Sequence, residues 1–211
     1  MRRFGKPLSR GLKGAIESAG FVGSFIAVRK EFMGKTHGEI SEDIKAWVES
    51  QKMFFVASAP LAAEGHINCS PKGIDSLRVT GTKSVVYQDL TGSGAETIAH
   101  VQENARIVIM LCSFEGLPQI VRFHGVGSVH KIGSDEYQCY AALFSEQAGC
   151  RAYISVDVKR IGTSCGYSAP LYDFVGQRDI LQKWAEKKGA EGLVEYRRLK
   201  NQKSIDGLPG F

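Results

Sequence analysis

Ser84-Val85-Val86-Tyr87-Gln88-Asp89-Leu90-Thr91-Gly92-Ser93-Gly94-Ala95-Glu96-Thr97 is the stretch on which the reading of this chain depends. The apolar, β-branched run from Ser84 to Tyr87 predicts a strand. Small residues follow it. Ile98 and Val101 then recur at helical spacing, with Glu103 and Asn104 on the polar side, and predict a helix from about Ala95 to Glu103. A strand, a tight turn and a helix start make a common cradle for phosphate. The first N–H groups of a helix have no intrahelical acceptor, and its dipole favours an anion. Gly92 and Gly94 allow close approach of the backbone, and Thr91, Ser93 and Thr97 add hydroxyls. Two readings stay open at this point: a phosphate site, or an ordinary helix cap made by Ser93 or Thr91 with Glu96 in the first turn.

A second segment bears on the choice. His66-Ile67-Asn68-Cys69-Ser70-Pro71-Lys72-Gly73 reads as a short alternating strand that ends in a turn. Lys72 stands at that strand end, where an ammonium reaches a phosphate as a point charge. Alone it would read as a solvated turn residue. Two such segments in one small domain favour an anion site.

The same patterning extends in both directions. Ile40, Ile44, Trp47 and Val48 predict a helix over 40–52 with Ser41 as its cap. Buried strands are expected at Met53–Ala59 and Ile107–Ser113, with a hairpin loop over Pro60–Gly65. Gln119–Lys131 reads as a long strand whose Gly125 and Gly127 suggest bulges or close backbone approach. A helix is expected over Asp135–Phe144, a strand over Ala152–Ile161, and a charged helix over Val175–Leu199 with Leu181, Trp184 and Ala185 on its inner stripe. Strands near residues 53, 66, 84, 107, 119 and 152 with interspersed helices predict a β-barrel of the α+β class, a six-stranded antiparallel barrel carrying flanking helices. No GxGxxG follows a first strand, which argues against a dinucleotide-binding parallel sheet.

Composition narrows the function classes. With 211 residues, 43% of them hydrophobic, the chain can bury one sizeable core. No apolar run is long enough to cross a membrane as a helix, so no membrane partner is expected. Residues 1–32 hold Arg2, Arg3, Lys6, Arg10, Lys13, Arg29 and Lys30 against Glu17 and Glu31, so the whole net charge of +5 resides there. The body over 33–211 is balanced, and no nucleic-acid surface is expected. The basic stretch reads equally as a mitochondrial-type transit segment, a tail, or a start placed too early, with Met33 as the natural beginning of the domain. The odd count of cysteines excludes a fully paired disulfide framework and suits a reducing compartment. A cytoplasmic location follows, or a mitochondrial one if residues 1–32 are a transit peptide. Cys69 and Cys112 sit in strand-like runs and are expected to be buried. No metal site is expected, because no Cys/His spacing suits zinc.

Several segments together resemble the pyridoxamine-phosphate-oxidase-like, FMN-binding split-barrel family. They are Gln51–Pro60 (QKMFFVASAP), Gly65–Gly73 (GHINCSPKG), Asp89–Thr97 (DLTGSGAET), Phe114-Glu115-Gly116, Cys165-Gly166-Tyr167 with Pro170, and Ser204–Pro209 (SIDGLP). The resemblance covers about residues 33–211. It implies a split barrel, a homodimer, and two FMN molecules in clefts between subunits. By the same resemblance Ser70, Lys72, Thr91, Gly92, Ser93 and Thr97 hold the phosphate, and Arg122 is a further candidate for the flavin. Tyr167 and the Cys165-Gly166 backbone would face the ring from the partner chain. True pyridoxamine phosphate oxidases carry an Arg-x-His element near the C-terminus and an Arg-Lys pair in the phosphate loop. Here Lys200–Ser204 and Gly92-Ser93-Gly94 stand in those places, which argues against oxidation of vitamin B6. The expectation is an FMN-dependent oxidoreductase acting on an unspecified small molecule. The rival is a non-catalytic flavin- or haem-binding carrier or sensor.

Among individual residues, His66 reads as a strand-end hydrogen bonder and His100 as a surface or packing residue. Arg122 and His124 share one face of their strand. Arg178 reads either as a cofactor contact or as a solvated helix residue.

Overall fold

The computed structural model describes residues 34–211, so the readings given to residues 1–32 lie outside the described residues. In chain order the elements are β1 (Thr36–His37), α1 (Glu42–Ser50), β2 (Phe54–Ser58), β3 (Asn68–Lys72), β4 (Leu77–Gly81), β5 (Ser84–Leu90), α2 (Glu96–Asn104), β6 (Arg106–Cys112), β7 (Ile120–Lys131), α3 (Asp135–Ala141), β8 (Cys150–Ser164) and α4 (Ile180–Lys200). The strands form one antiparallel sheet in the order β3-β2-β6-β7-β8-β5-β4, with β1 added on β8. All six expected strands are present. The two additional ones are the short β1 and β4, the latter pairing with β5.

The inward faces follow from alternation. Phe54, Val56 and Ser58 of β2, Ile107, Ile109 and Leu111 of β6, and Val121 and Phe123 of β7 are buried. Each large apolar side chain among them contributes about 1.5–3 kcal/mol on burial. The β5 strand is buried on both faces from Val85 to Asp89. The sheet path curls until its far ends meet through side chains. Lys72 of β3 lies over the Tyr87 ring of β5, and Phe54 of β2 packs edge-on against the same ring. The result is a split barrel with helices packed on it.

Two irregularities in β8 matter. Its pairing with β7 shifts register between His124 and Gly125, where a Cβ on Gly125 would lie 2.4 Å from the Asp157 carbonyl oxygen. Only glycine fits there, as the sequence pattern suggests. The second shift lies in its pairing with β5. Asp89 faces Ala152 and Leu90 faces Cys150, so Arg151 is the extra residue. A bulge re-aims its side chain, and Arg151 is turned into the interior, 5% exposed.

Three expectations need correction. Cys69 is exposed, whereas Cys112 is buried as expected. On β3 it is Asn68, Ser70 and Lys72 that point inward, so Cys69 and Pro71 point out. The C-terminal helix begins at Ile180 and not at Val175, and it is broken at Gly189, whose φ is 67°. The preceding segment is instead drawn along the surface by hydrogen bonds from the Tyr172 and Phe174 amides to Phe114 and Glu115, and from Gln177 to the Lys52 carbonyl. Finally, α3 ends at Ala141, short of Phe144.

Candidate functional site

A cleft of about 1450 Å³ opens beside the strand–turn–helix unit. Lys72, Thr91, Gly92 and Ser93 line it, as do the aromatic rings of Phe114, Tyr172, Phe174, Trp184 and Tyr196. Phe114 packs on Tyr172, and Trp184 meets Tyr196 edge-on, with ring centroids 5.4 and 4.9 Å apart. Arg178 also lines the cleft, is exposed, and precedes the first residue of α4.

The turn has an unusual donor inventory. Ala95 occupies the cap position of α2, and no side chain caps the helix. Neither Ser93 nor Thr91 plays the capping part that the sequence allowed. The Thr91 hydroxyl instead accepts from Arg197 Nη1 at 3.4 Å, and the Thr91 amide donates to the Gly149 carbonyl at 2.7 Å. From Gly92 to Ile98, no backbone amide has a protein acceptor among the described residues. Ala95 and Ile98 are each 1% exposed. The first N–H groups of a helix have no intrahelical acceptor, and successive free amides at such a turn are of the kind that suits an anion.

Cationic side chains stand beside this turn. Asp89, 1% exposed, accepts from Lys72 Nζ at 2.8 Å and from Arg151 Nε at 2.7 Å. Burial alone would raise its carboxyl pKa, but the two adjacent cations hold it below the usual range. Tyr87 is driven the other way, by burial and by the Asp89 charge. Arg151 Nη1 is buried without a partner. Burial and the neighbouring Arg151 charge lower the pKa of Arg197. One guanidinium and one ammonium thus share the Asp89 carboxylate, and with the Arg197 guanidinium beside Arg151 and Thr91 they leave an excess of positive charge near the turn.

The remaining predicted residues divide into two groups. Ser70 donates to Asn68 Oδ1 at 3.1 Å, and Asn68 Nδ2 donates to the Thr97 hydroxyl at 2.9 Å. This chain joins the inner face of β3 to the first turn of α2, behind the lining of the cleft. Arg122 and Tyr167 are not brought to the cleft. Arg122 donates to Ser164 Oγ at 3.0 Å on the outer face of the sheet, and Tyr167 is exposed in the segment after β8. Beside Arg122 lies His124, whose pKa is lowered by partial burial, Arg160 and Arg122.

His66 is a hydrogen bonder as expected, with its amide and Nδ1 both bound to Asp206. His100 is a packing residue, fully buried with Nδ1 against the Ser58 hydroxyl. Sequence reasoning missed Arg151, Arg197 and Asn201. Asn201 is completely buried, and its Nδ2 donates to the carbonyls of Gly92, Ser93 and Gly94 at 2.9, 3.4 and 3.5 Å. No local motif marks any of the three. No helix among the described residues is long and apolar enough to cross a membrane.

Comparison with known proteins places this geometry in context. The family model described as pyridoxamine 5'-phosphate oxidase matches residues 40–165. The pyridoxamine 5'-phosphate oxidase family protein ustO of Aspergillus flavus is 38% identical, over 82% of this chain and 76% of that protein. Among solved structures, HupZ from Group A Streptococcus has a TM-score of 0.46 and 24% identity, covering 58% of this chain and 91% of its own. The FAD-binding protein of Mycobacterium smegmatis has a TM-score of 0.43 and 13% identity, covering 59% and 95%.

Proposed function

This chain belongs to the pyridoxamine 5'-phosphate oxidase family, and from that premise we propose that it binds FMN in the cleft and acts as an FMN-dependent oxidoreductase. One observation carries the reading: Gly92 and Ser93, whose amides have no protein acceptor among the described residues, line the cleft beside Lys72. A phosphate monoester supplies the acceptor oxygens that those donors lack. It also answers the positive charge that Asp89 only partly offsets.

Lys72, Gly92 and Ser93 contact the phosphate in this reading. Thr91, Ser70 and Thr97 hold the turn and the helix start in place behind it. Asp89 fixes the Lys72 ammonium at the strand end and prevents it from swinging into solvent. The aromatic rings of the cleft offer apolar faces to a planar ring system and keep water from it. FMN, when bound, supplies hydride transfer, and the protein supplies binding, orientation and electrostatics.

The proposal includes a homodimer. Phe55 and Ala57 of β2, Val108 and Met110 of β6 and Ile120 of β7 lie on the outer face of the sheet, each only partly covered. Arg122 and His124 continue that face. A second copy packed there would bury the apolar row, and Arg122 and Tyr167 would then serve the flavin site of the partner and not their own. Residues 33–211 suffice for folding and flavin binding in this scheme.

The test is to denature the purified protein and chromatograph the supernatant. FMN is expected. FAD, or no flavin after incubation with excess FMN, overturns the assignment, and a Soret band in the native spectrum favours a haem module instead. Reduction by NAD(P)H followed by reoxidation with an added acceptor separates an oxidoreductase from a carrier. Light scattering on the full chain and on residues 33–211 should give a dimer for both.

A further inference from the structure

The eleven C-terminal positions, Asn201 to Phe211, return across the turn and α2. Gln102 of α2 donates to the Pro209 and Gly210 carbonyls at 3.1 and 2.9 Å, and Lys131 donates to the Gly210 carbonyl at 3.2 Å. The Phe211 amide donates to the Asn201 carbonyl at 2.7 Å. The Arg197 guanidinium lies over the Phe211 ring. A Cβ on Gly210 would lie 2.3 Å from the Asn201 carbonyl oxygen and 2.8 Å from the Ala95 Cβ. The segment is therefore locked to the start of α2, and at its base Asn201 bonds the three consecutive carbonyls of the turn.

Those bonds fix more than the carbonyls. In a trans peptide the C=O and the following N–H point in opposite directions across one rigid plane. Holding the Gly92, Ser93 and Gly94 carbonyls toward Asn201 therefore turns the amides of Ser93, Gly94 and Ala95 to the opposite side. Two of those three planes begin at glycines, the residues most free to rotate out of the arrangement. A single buried side-chain amide thus sets the direction of the donors that await an acceptor.

We propose that Asn201 is a positioning residue for the phosphate site: by gathering the carbonyls of Gly92, Ser93 and Gly94 it aims the turn amides at the anion and makes the C-terminal segment part of the cofactor site. The inference rests on the phosphate reading of the cleft given above.

The test compares FMN with riboflavin, which carries the same ring and no phosphate, by fluorescence titration of apoprotein. The wild type should prefer FMN. Asn201→Ala removes the donor, and Asn201→Asp keeps the shape while replacing the donor with an acceptor. Each should raise the FMN dissociation constant on the order of tenfold or more and leave riboflavin affinity within about twofold. A merely structural role would weaken both ligands together, and that result overturns the proposal. So does an FMN preference unchanged in both variants. A wild type without any preference for FMN overturns the phosphate reading, and this inference with it. If neither Asn201 variant folds, Gln102→Leu loosens the same segment from α2 without touching the turn. It should reduce the FMN preference in the same direction, and an undiminished preference in that variant contradicts the proposal.

Discussion

Two cationic regions of this molecule are built in opposite ways. Under the turn, Lys72 and Arg151 are bound to the buried Asp89, while the backbone amides from Gly92 to Ile98 lack protein acceptors among the described residues. On the outer sheet face, Arg122, His124 and Arg160 lie together with no acidic partner among the described residues, but the backbone there is engaged in the β7–β8 ladder. One region holds its side-chain charges and presents its backbone. The other presents its side-chain charges and holds its backbone. The first arrangement is suited to enclosing a small anion in fixed geometry, because backbone donors lose no side-chain freedom on binding. The second suits a broad surface contact, where long side chains adjust to what covers them.

The largest expected effect separates the regions by stability. Asp89→Asn leaves Lys72 and Arg151 without their carboxylate inside the barrel, and a broken buried pair costs about 3–5 kcal/mol. Arg122→Gln relieves like-charge crowding on a partly exposed face and should stay within about 0.5 kcal/mol of the parent. Urea denaturation of both proteins measures the contrast. Equal losses would mean that the Asp89 cluster is no more integral to the fold than the outer patch.

Next comes flavin affinity. Lys72→Ala should weaken FMN binding by about 1.5–3 kcal/mol, the range for a hydrogen bond to a charged group, and Lys72→Arg should restore only part of it, because a planar fork does not replace a point charge. An unchanged dissociation constant for Lys72→Ala would reduce Lys72 to the structural partner of Asp89.

Acid sharpens the same point. The folded-state pKa of Asp89 lies below its unfolded value of about 3.9. Its contribution to stability is therefore complete above about pH 4 and is lost as pH falls through the folded-state value. Denaturation midpoints measured from about pH 6 down to about pH 2 should fall more steeply below about pH 4 in the parent than in Asp89→Asn. Parallel curves would show that other carboxylates govern acid unfolding. The smallest effect belongs to the outer patch. Arg122→Gln should raise the pKa of His124, followed by NMR, since Arg122 is the lesser of two neighbouring charges that lower it.

The strands, the glycine bulge at Gly125 and the strand–turn–helix unit were legible because each is local: alternation, β-branched runs and small residues declare themselves within a few positions. Lys72 and the turn from Thr91 to Ser93 were legible for the same reason. What escaped was long-range. Arg151 reaches Asp89 only because a bulge in β8 turns it inward, and nothing around Cys150-Arg151-Ala152 announces one. Asn201 looks like a helix-end residue until the chain folds back on Gly92–Gly94. Arg122 and Tyr167 were assigned with the others from family resemblance, yet within one chain they lie away from the cleft. The break at Gly189 falls in a run of good helix formers, so periodicity passes over it.

Whether the anion sits at the backbone region or the side-chain region is decided most directly by a crystal structure of the full chain grown with FMN. The phosphate is predicted to lie within hydrogen-bond distance of the Ser93, Gly94 and Ala95 amides and of Lys72 Nζ. A phosphate bound instead by Arg122 and Arg160, with none of the turn amides from Gly92 to Ala95 in contact with it, would contradict this account.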